Sequence, residues 1–205
     1  MSHFNRTKNP NRLTDRVQHL VNTFRAFSSY HINTFLDIGC GNAEITDEIA
    51  TVFKIPNVYG ADVYPTLKIE PDRPVVKLTQ YYQVVNNQIP LPDHSIDLIT
   101  CFMSVHHFEE FQLMMREICR LLKPNGFLFL REHDVPKNNQ ALIKFLNDKH
   151  AQFPDHSGPI HYWSRMDLHE ELTNHYHFTC VSHSDYPRNI PNRQAIYHDL
   201  YRCKV

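Results

Sequence analysis

From Arg12 to Phe27 the apolar residues Leu13, Val17, Leu20, Val21, Phe24 and Phe27 recur at steps of three and four, which predicts an amphipathic helix. The run Thr34 to Gly39 is continuously apolar but for one aspartate, as in a buried strand. Ala43 to Phe53, with Ile45, Ile49, Val52 and Phe53 on one face, reads as a helix starting just beyond two glycines. Short strands are expected at Asn57–Ala61, Pro74–Leu78 and Ser95–Cys101, each bounded by Pro, Asp, Asn or Gly. Helical spacing returns between Phe108 and Leu122, and a turn at Pro124–Gly126 opens a strand ending near Arg131. Helices at about Asn138–His150 and Arg165–Asn174 precede two strands, His177–Ser184 and Gln194–Cys203, which suit an antiparallel hairpin at a sheet edge. This alternation predicts an α/β fold, a mostly parallel sheet with helices on both faces.

Composition narrows the class without naming a partner. The chain has 205 residues, of which 41% are hydrophobic and 21% charged, so one domain with a substantial core is expected. No apolar run approaches the roughly 20 residues of a membrane helix, and the polar start MSHFNRTKNPNR has no hydrophobic signal core, so the expected location is cytoplasmic and no membrane partner is expected. Five scattered cysteines read as reduced thiols. A formal charge of -1 gives no general attraction to nucleic acid, although Arg6, Lys8, Arg12 and Arg16 form a local basic stretch. Fifteen histidines invite a metal reading, but no HExxH pair occurs and no metal is expected.

The stretch FLDIGCGNAEIT is a strand that runs into a glycine turn and then a helix. In open α/β sheets ligands sit beyond the carboxyl ends of the strands, and glycines in the first such turn let backbone approach a nucleotide. Gly39 and Gly41 fit that role, and Asp62, ending the next strand, stands where an acid accepts hydrogen bonds from ribose hydroxyls. A dinucleotide usually asks for a third glycine, whereas Ala43 and Glu44 follow here, and a glutamate would repel a pyrophosphate. An adenosine carrying an ammonium group and no phosphate avoids the conflict and suits Asp37; S-adenosylmethionine meets both conditions.

With these residues in view the chain resembles the class I S-adenosylmethionine-dependent methyltransferases. The resemblance rests on LDIGCGNAEIT, YGADV, IPLPDHSIDLITCFMSVHHF and EICRLLKPNGFLFLREHD, in that order, over about Asn33 to Arg131. It implies a Rossmann-like sheet of seven strands, mostly parallel, with an antiparallel C-terminal hairpin strand. It also implies one methyltransferase domain over 1–205, divided into an N-terminal helical lid (1–30), a cofactor-binding core (31–134) and substrate-side helices with the terminal hairpin (135–205). The implied cofactor is S-adenosylmethionine, with S-adenosylhomocysteine as product. Asp37, Gly39, Cys40 and Gly41 would line its methionine and ribose end, Asp62 would hold the ribose, and Val63, Val85 and Asn86 would flank the adenine. The family usually has an acid and a small residue where this chain has VVNNQ. Cys101 and Phe102 would lie along the cofactor, and Met103 and Ser104 would face the exit of the methyl group.

Methyl transfer from a sulfonium is an in-line displacement with an activated leaving group, so positioning is the first requirement and a base is optional. His106 and His107 stand at the expected rim as candidate catalytic bases, and Arg131 and His133, in the charged cluster REHD, as candidate substrate contacts. Aromatic residues with arginine in GPIHYWSRMDL suit either a stacked base or a lid, and Ser164 reads as a helix cap with Asp167 at the third helical position. The (D/N)PP(Y/F) signature of amino methyltransferases acting on nucleobases is absent, as is a proline-cysteine pair for covalent cytosine chemistry. The expected acceptor is therefore a small molecule or an RNA, cap or tRNA, with room for a partner subunit. Two other readings compete: a catalytically silent module of the same fold that binds a partner protein, and a nicotinamide dehydrogenase, which the missing third glycine disfavours.

Overall fold

The computed structural model describes residues 22, 30–67, 78–152, 158–185 and 196–204. Its sheet has seven strands: β1 (Thr34–Ile38), β2 (Asn57–Asp62), β3 (Gln80–Gln83), β4 (Ile96–Phe102), β5 (Leu122–His133), β6 (Phe178–Asp185) and β7 (Ile196–Cys203). They lie in the order β3-β2-β1-β4-β5-β7-β6. Pairings from β3 through β5 are parallel, whereas β7 runs antiparallel to both β5 and β6, so the expected mixed sheet with an antiparallel hairpin is what forms.

Four helices are described: α1 (Glu44–Phe53), α2 (Phe111–Leu121), α3 (Gln140–His150) and α4 (Arg165–His175), with a short 3-10 turn at Val105–His107. The central strands are apolar on both sides because both faces of the sheet are covered. On one face Phe35, Leu98, Phe129 and Leu200 pack with Ile49 and Ala50 of α1. On the other, Leu36, Ile38, Ile99 and Leu130 pack with Ile118 of α2 and Leu172 of α4.

Three buried or half-buried charges brace the frame. Asp97 on β4 accepts hydrogen bonds from the backbone N–H groups of Asn33 and Thr34, both at 2.9 Å, and from Lys123 Nζ at 2.8 Å, tying together the amino ends of β1, β4 and β5. Burial opposes its charge, but Lys123 and Thr34 prevail and hold the carboxyl below its usual range. Arg120 pairs with Glu117 and donates to the carbonyls of Ile89 and Leu91, which fixes the loop ahead of β4. Arg165 pairs with the buried Asp199 at 2.7 Å and fastens the start of α4 to β7.

The sheet has an edge strand that the apolar pattern does not announce. The strand that pairs with β2 is the polar QYYQ segment, Gln80–Gln83; the expected strand Pro74–Leu78 lies outside the described residues but for Leu78, which is in no strand. Edge strands need no continuous apolar run, so apolarity is a poor guide there. The expected turn at Pro124–Gly126 lies inside β5 as an irregularity: the register jumps between Ile96 and Leu98, and Asn125 takes a left-handed conformation. Ser164 does cap α4, accepting from the Asp167 N–H at 3.1 Å. The helix expected at Arg12–Phe27, and the lid over 1–30, lie outside the described residues apart from Asn22, which is helical, and Tyr30. Among the described residues no helix is long and apolar enough to cross a membrane.

Candidate active site

At the carboxyl end of β1 the chain must reverse direction into α1 within five residues. Gly39 and Gly41 take left-handed φ angles of 77° and 59°, which glycine adopts without penalty. Gly39 is also hemmed in, since a Cβ there would lie 2.5 Å from Ser104 Cβ. At Gly41 a Cβ would meet nothing within 4 Å among the described residues, which leave that side of the turn open to a ligand. The turn is tied to the neighbouring strand by the Gly39 and Cys40 N–H groups, which donate to Ala61 O at 2.8 and 3.2 Å. Cys40 Sγ lies over Gly60, and burial, with Asp37 and Asp62 adding to it, pushes this thiol up.

Asp62 closes the arrangement. Its Oδ2 accepts from the Gly41 N–H at 2.9 Å and its Oδ1 from the Val63 N–H at 2.8 Å, so the carboxylate both holds the turn and keeps lone pairs for further donors. Val63 beside it is 66% exposed. The Val84 N–H donates to Asp62 O at 2.8 Å and brings Val85–Gln88 alongside, a tight turn in which Asn86 and Asn87 both have positive φ. Val85, 53% exposed, and Asn86 thus stand at the same edge as Asp62 and Val63.

Asp37 is 2% exposed and sits beneath the turn, accepting from Thr46 Oγ1 at 2.5 Å and Thr100 Oγ1 at 2.6 Å. Burial raises its pKa to about 6 against the pull of the two hydroxyls. Thr46 and Thr100 are partners of Asp37 that sequence reasoning misses; the available signal at Thr100 is a lone hydroxyl within an otherwise buried apolar stretch. Cys101, wholly buried in the core with its thiol pushed up by burial, offers a ligand no surface, whereas Phe102 is half-buried and rests against Phe129.

Beyond β4 the backbone kinks at Met103, whose φ is 56° and whose N–H donates to Arg131 O at 2.8 Å. Ser104 Oγ donates to Ile38 O at 2.9 Å, placing the exit of β4 directly against the glycine turn. Then come His106 and His107. His106 Nδ1 lies 2.6 Å from Glu132 Oε1, and His106 Nε2 lies 3.2 Å from His150 Nε2. Burial opposes the charge on Glu132, but His106 and His133 hold its carboxyl below the usual range. Tyr162 donates to Asn147 Oδ1 at 2.9 Å and lies 3.2 Å from His150 Nδ1, and the His161 N–H donates to His106 O at 2.8 Å. The structure therefore brings the expected His106, His107 and His133 together and adds Glu132, His150 and Tyr162. Arg131 is buried on β5, its backbone carbonyl engaged by Met103.

This geometry agrees with what the chain resembles. A family model described as a methyltransferase domain matches residues 36–130. An uncharacterized methyltransferase of Bacillus subtilis, YcgJ, is 35% identical over 72 residues, covering 35% of this chain and 28% of the relative. The tRNA N(3)-cytidine methyltransferase METTL2 of Danio rerio is 29% identical over 134 residues, covering 58% of this chain and 36% of the relative. The matches thus span well under half of these curated relatives. Among solved structures, the methyltransferase in a complex with the Haloferax volcanii Trm112 activator superposes with a TM-score of 0.69 at 14% identity, over 95% of this chain and 92% of that one. Residues 36–130 thus match a methyltransferase domain, and the strand order is the Rossmann-like one of the solved methyltransferases on which the chain superposes.

Proposed function

We propose that this chain is a methyltransferase that moves the methyl group of S-adenosylmethionine to an oxygen, nitrogen or carbon of a small molecule or an RNA. The observation that carries this reading is the Gly41 N–H held by Asp62 Oδ2 at 2.9 Å, beside a surface that is open at Gly41. The residues fit the cofactor: Asp62 keeps lone pairs for two ribose hydroxyls, Val63, Val85 and Asn86 form the edge where an adenine would lie, and the turn tolerates close backbone approach. Asp37, ionised near neutral pH, supplies negative charge beneath the turn for an ammonium group. When bound, the cofactor supplies an activated methyl group.

The chain's own part is to hold the acceptor and exclude competing geometry. Ser104, Met103 and the histidine rim occupy the same carboxyl edge of the sheet as the glycine turn. His106, its Nδ1 on Glu132, turns Nε2 toward His150, and with His107, His133 and Tyr162 it lines a polar patch for an acceptor carrying an exchangeable proton. The METTL2 relative keeps an RNA acceptor in view beside a small molecule, and the Trm112 complex of the neighbour keeps a partner subunit in view. Calorimetric titration with S-adenosylhomocysteine tests the core of the reading: one-to-one binding at micromolar affinity or tighter supports it, and no binding by a folded chain overturns it. A labelled-methyl screen over metabolites, capped RNA and tRNA, with and without an activator subunit, then selects the acceptor.

A further inference from the structure

The acceptor rim holds three imidazoles whose nitrogens come within 4.8 Å of one another: His106 and His107 on the 3-10 turn, and His150 at the end of α3. The second nitrogen of two of these rings fixes the tautomer. His106 Nδ1 faces the Glu132 carboxylate at 2.6 Å, and His150 Nδ1 faces the Leu146 carbonyl oxygen at 2.9 Å. Both oxygens only accept, so each Nδ1 carries a hydrogen, and in the neutral rings each Nε2 carries the lone pair. Those two Nε2 atoms meet at 3.2 Å.

Two lone pairs at that separation repel unless a cation lies between them. A proton on His106, with Glu132 as counter-ion, would serve for one pair but gives no role to the third imidazole. A metal ion accounts for all three. Nitrogens bound at ~2.0–2.1 Å to a tetrahedral ion of the zinc class lie about 3.3 Å apart. A histidine that ligates through Nε2 while Nδ1–H donates to a carboxylate or a backbone carbonyl is the usual second layer of such sites, since it sets the ring and raises its basicity. His106 has the carboxylate and His150 the carbonyl. His106 is 2% exposed and Glu132 1%, so these two are locked in place, while the half-buried His107 and His150 leave access from the acceptor side.

We propose that His106, His107 and His150 form a site for one divalent transition-metal ion of the zinc class, with Glu132 and the Leu146 carbonyl orienting two of the ligands. Among the described residues three ligands are at hand, and three leave a fourth position for water or for the acceptor's nucleophilic atom, the pattern of a catalytic rather than a structural ion. An ion there would lower the pKa of a bound hydroxyl and orient it. The ligands come from two segments far apart in the chain, which is why no HExxH-like spacing announces them. The site rests on the histidine geometry and stands independently of the methyl-transfer reading.

The test uses the full chain without an affinity tag, stripped with chelator and titrated with Co(II) under visible absorption and with Zn(II) in a calorimeter. The expected result is one ion per chain with the intense bands of four-coordinate cobalt. His150→Ala should abolish those bands and weaken binding at least about 100-fold, and Glu132→Gln should weaken it about 10- to 100-fold. His107→Ala provides a second ligand deletion at a half-buried ring. Each variant is also titrated with S-adenosylhomocysteine, and affinity within about twofold of the parent certifies the fold. Unchanged cobalt binding in both ligand deletions, or no cobalt binding by a chain that still binds S-adenosylhomocysteine, overturns the site. Cobalt binding lost with His150, in a chain that binds no S-adenosylhomocysteine, upholds the site and removes the methyltransferase reading instead.

Discussion

The two halves of the carboxyl edge are built differently. Around β1 and β2 the site is made of backbone: two left-handed glycines, N–H groups donating to Ala61 O, and a carboxylate that accepts from Gly41 and Val63. Around β4 and β5 it is made of side chains: His106 on Glu132, His150 against His106, and Tyr162 against His150. A backbone site is written in a few consecutive residues, because only certain residues permit the conformation. A side-chain site depends on which segments the fold happens to bring together. The first half therefore suits an invariant ligand and the second a variable one.

The sharpest way to break this comparison is Gly39→Ala. The new Cβ would lie 2.5 Å from Ser104 Cβ at a residue whose φ is 77°, so both overlap and backbone strain oppose folding. We expect a loss of about 2–5 kcal/mol in urea unfolding, from ~1–2 kcal/mol of left-handed strain and ~1–3 kcal/mol of overpacking. S-adenosylhomocysteine binding should become undetectable. A variant with parental stability would mean that the turn is not constrained by its backbone.

Next in size is Asp62→Ala. It removes the acceptor of two backbone N–H groups and, with ligand bound, of the ribose hydroxyls. Hydrogen bonds to a charged group contribute about 1.5–3 kcal/mol each, so affinity for S-adenosylhomocysteine should fall about 100-fold or more. Asp62→Asn, which keeps one acceptor oxygen, should lie between. Parental affinity in either variant would detach Asp62 from the cofactor.

The legibility of the two halves follows the same division. The glycine turn, Asp62, the strand alternation and the antiparallel hairpin are all visible as local patterns, because each is a constraint on consecutive backbone torsions or on burial. Asp37 is visible too, but its setting is not: Thr46 and Thr100 reach it from a helix and from another strand. Cys101 shows the converse error. It stands at the right place in the chain, yet the alternation of β4 turns it into the core and Thr100 toward Asp37. His150 carries no local signal at all, since its meaning depends on α3 folding back over the end of β4. The polar strand Gln80–Gln83 escapes notice because an edge strand needs little apolarity.

A third and smaller effect lies in pH. Burial raises Asp37 to about 6, so the folded chain holds a proton there that the unfolded chain, at 3.8, has released. By linkage, this group's contribution to stability declines as pH rises from about 4 to about 6 and is level above that. Ligand binding has the opposite sign: an ammonium group favours the carboxylate, so affinity should rise with pH through about 6 and then plateau. With roughly a tenth of Asp37 ionised one unit below its pKa, affinity at pH 5 should be about tenfold weaker than at pH 7. Thr100→Val removes a hydroxyl that favours the charged form and should move the rise to higher pH. A flat profile in both proteins would place the ammonium away from Asp37.

The smallest expected effect separates ligand contact from scaffold most cleanly. Val63 is 66% exposed and its N–H is already held by Asp62 Oδ1, so its side chain contributes little to the fold. Val63→Ala should leave unfolding within about 0.5 kcal/mol of the parent. If the side chain covers an adenine, burial of two methyl groups is at stake, at about 0.8 kcal/mol per group when fully buried, and a three- to tenfold loss of affinity for S-adenosylhomocysteine follows. The same substitution should leave affinity for methionine alone unchanged, because that fragment has no adenine to cover. Equal losses for both ligands would place Val63 at the other end of the cofactor and reverse the orientation that Asp37 and Asp62 imply.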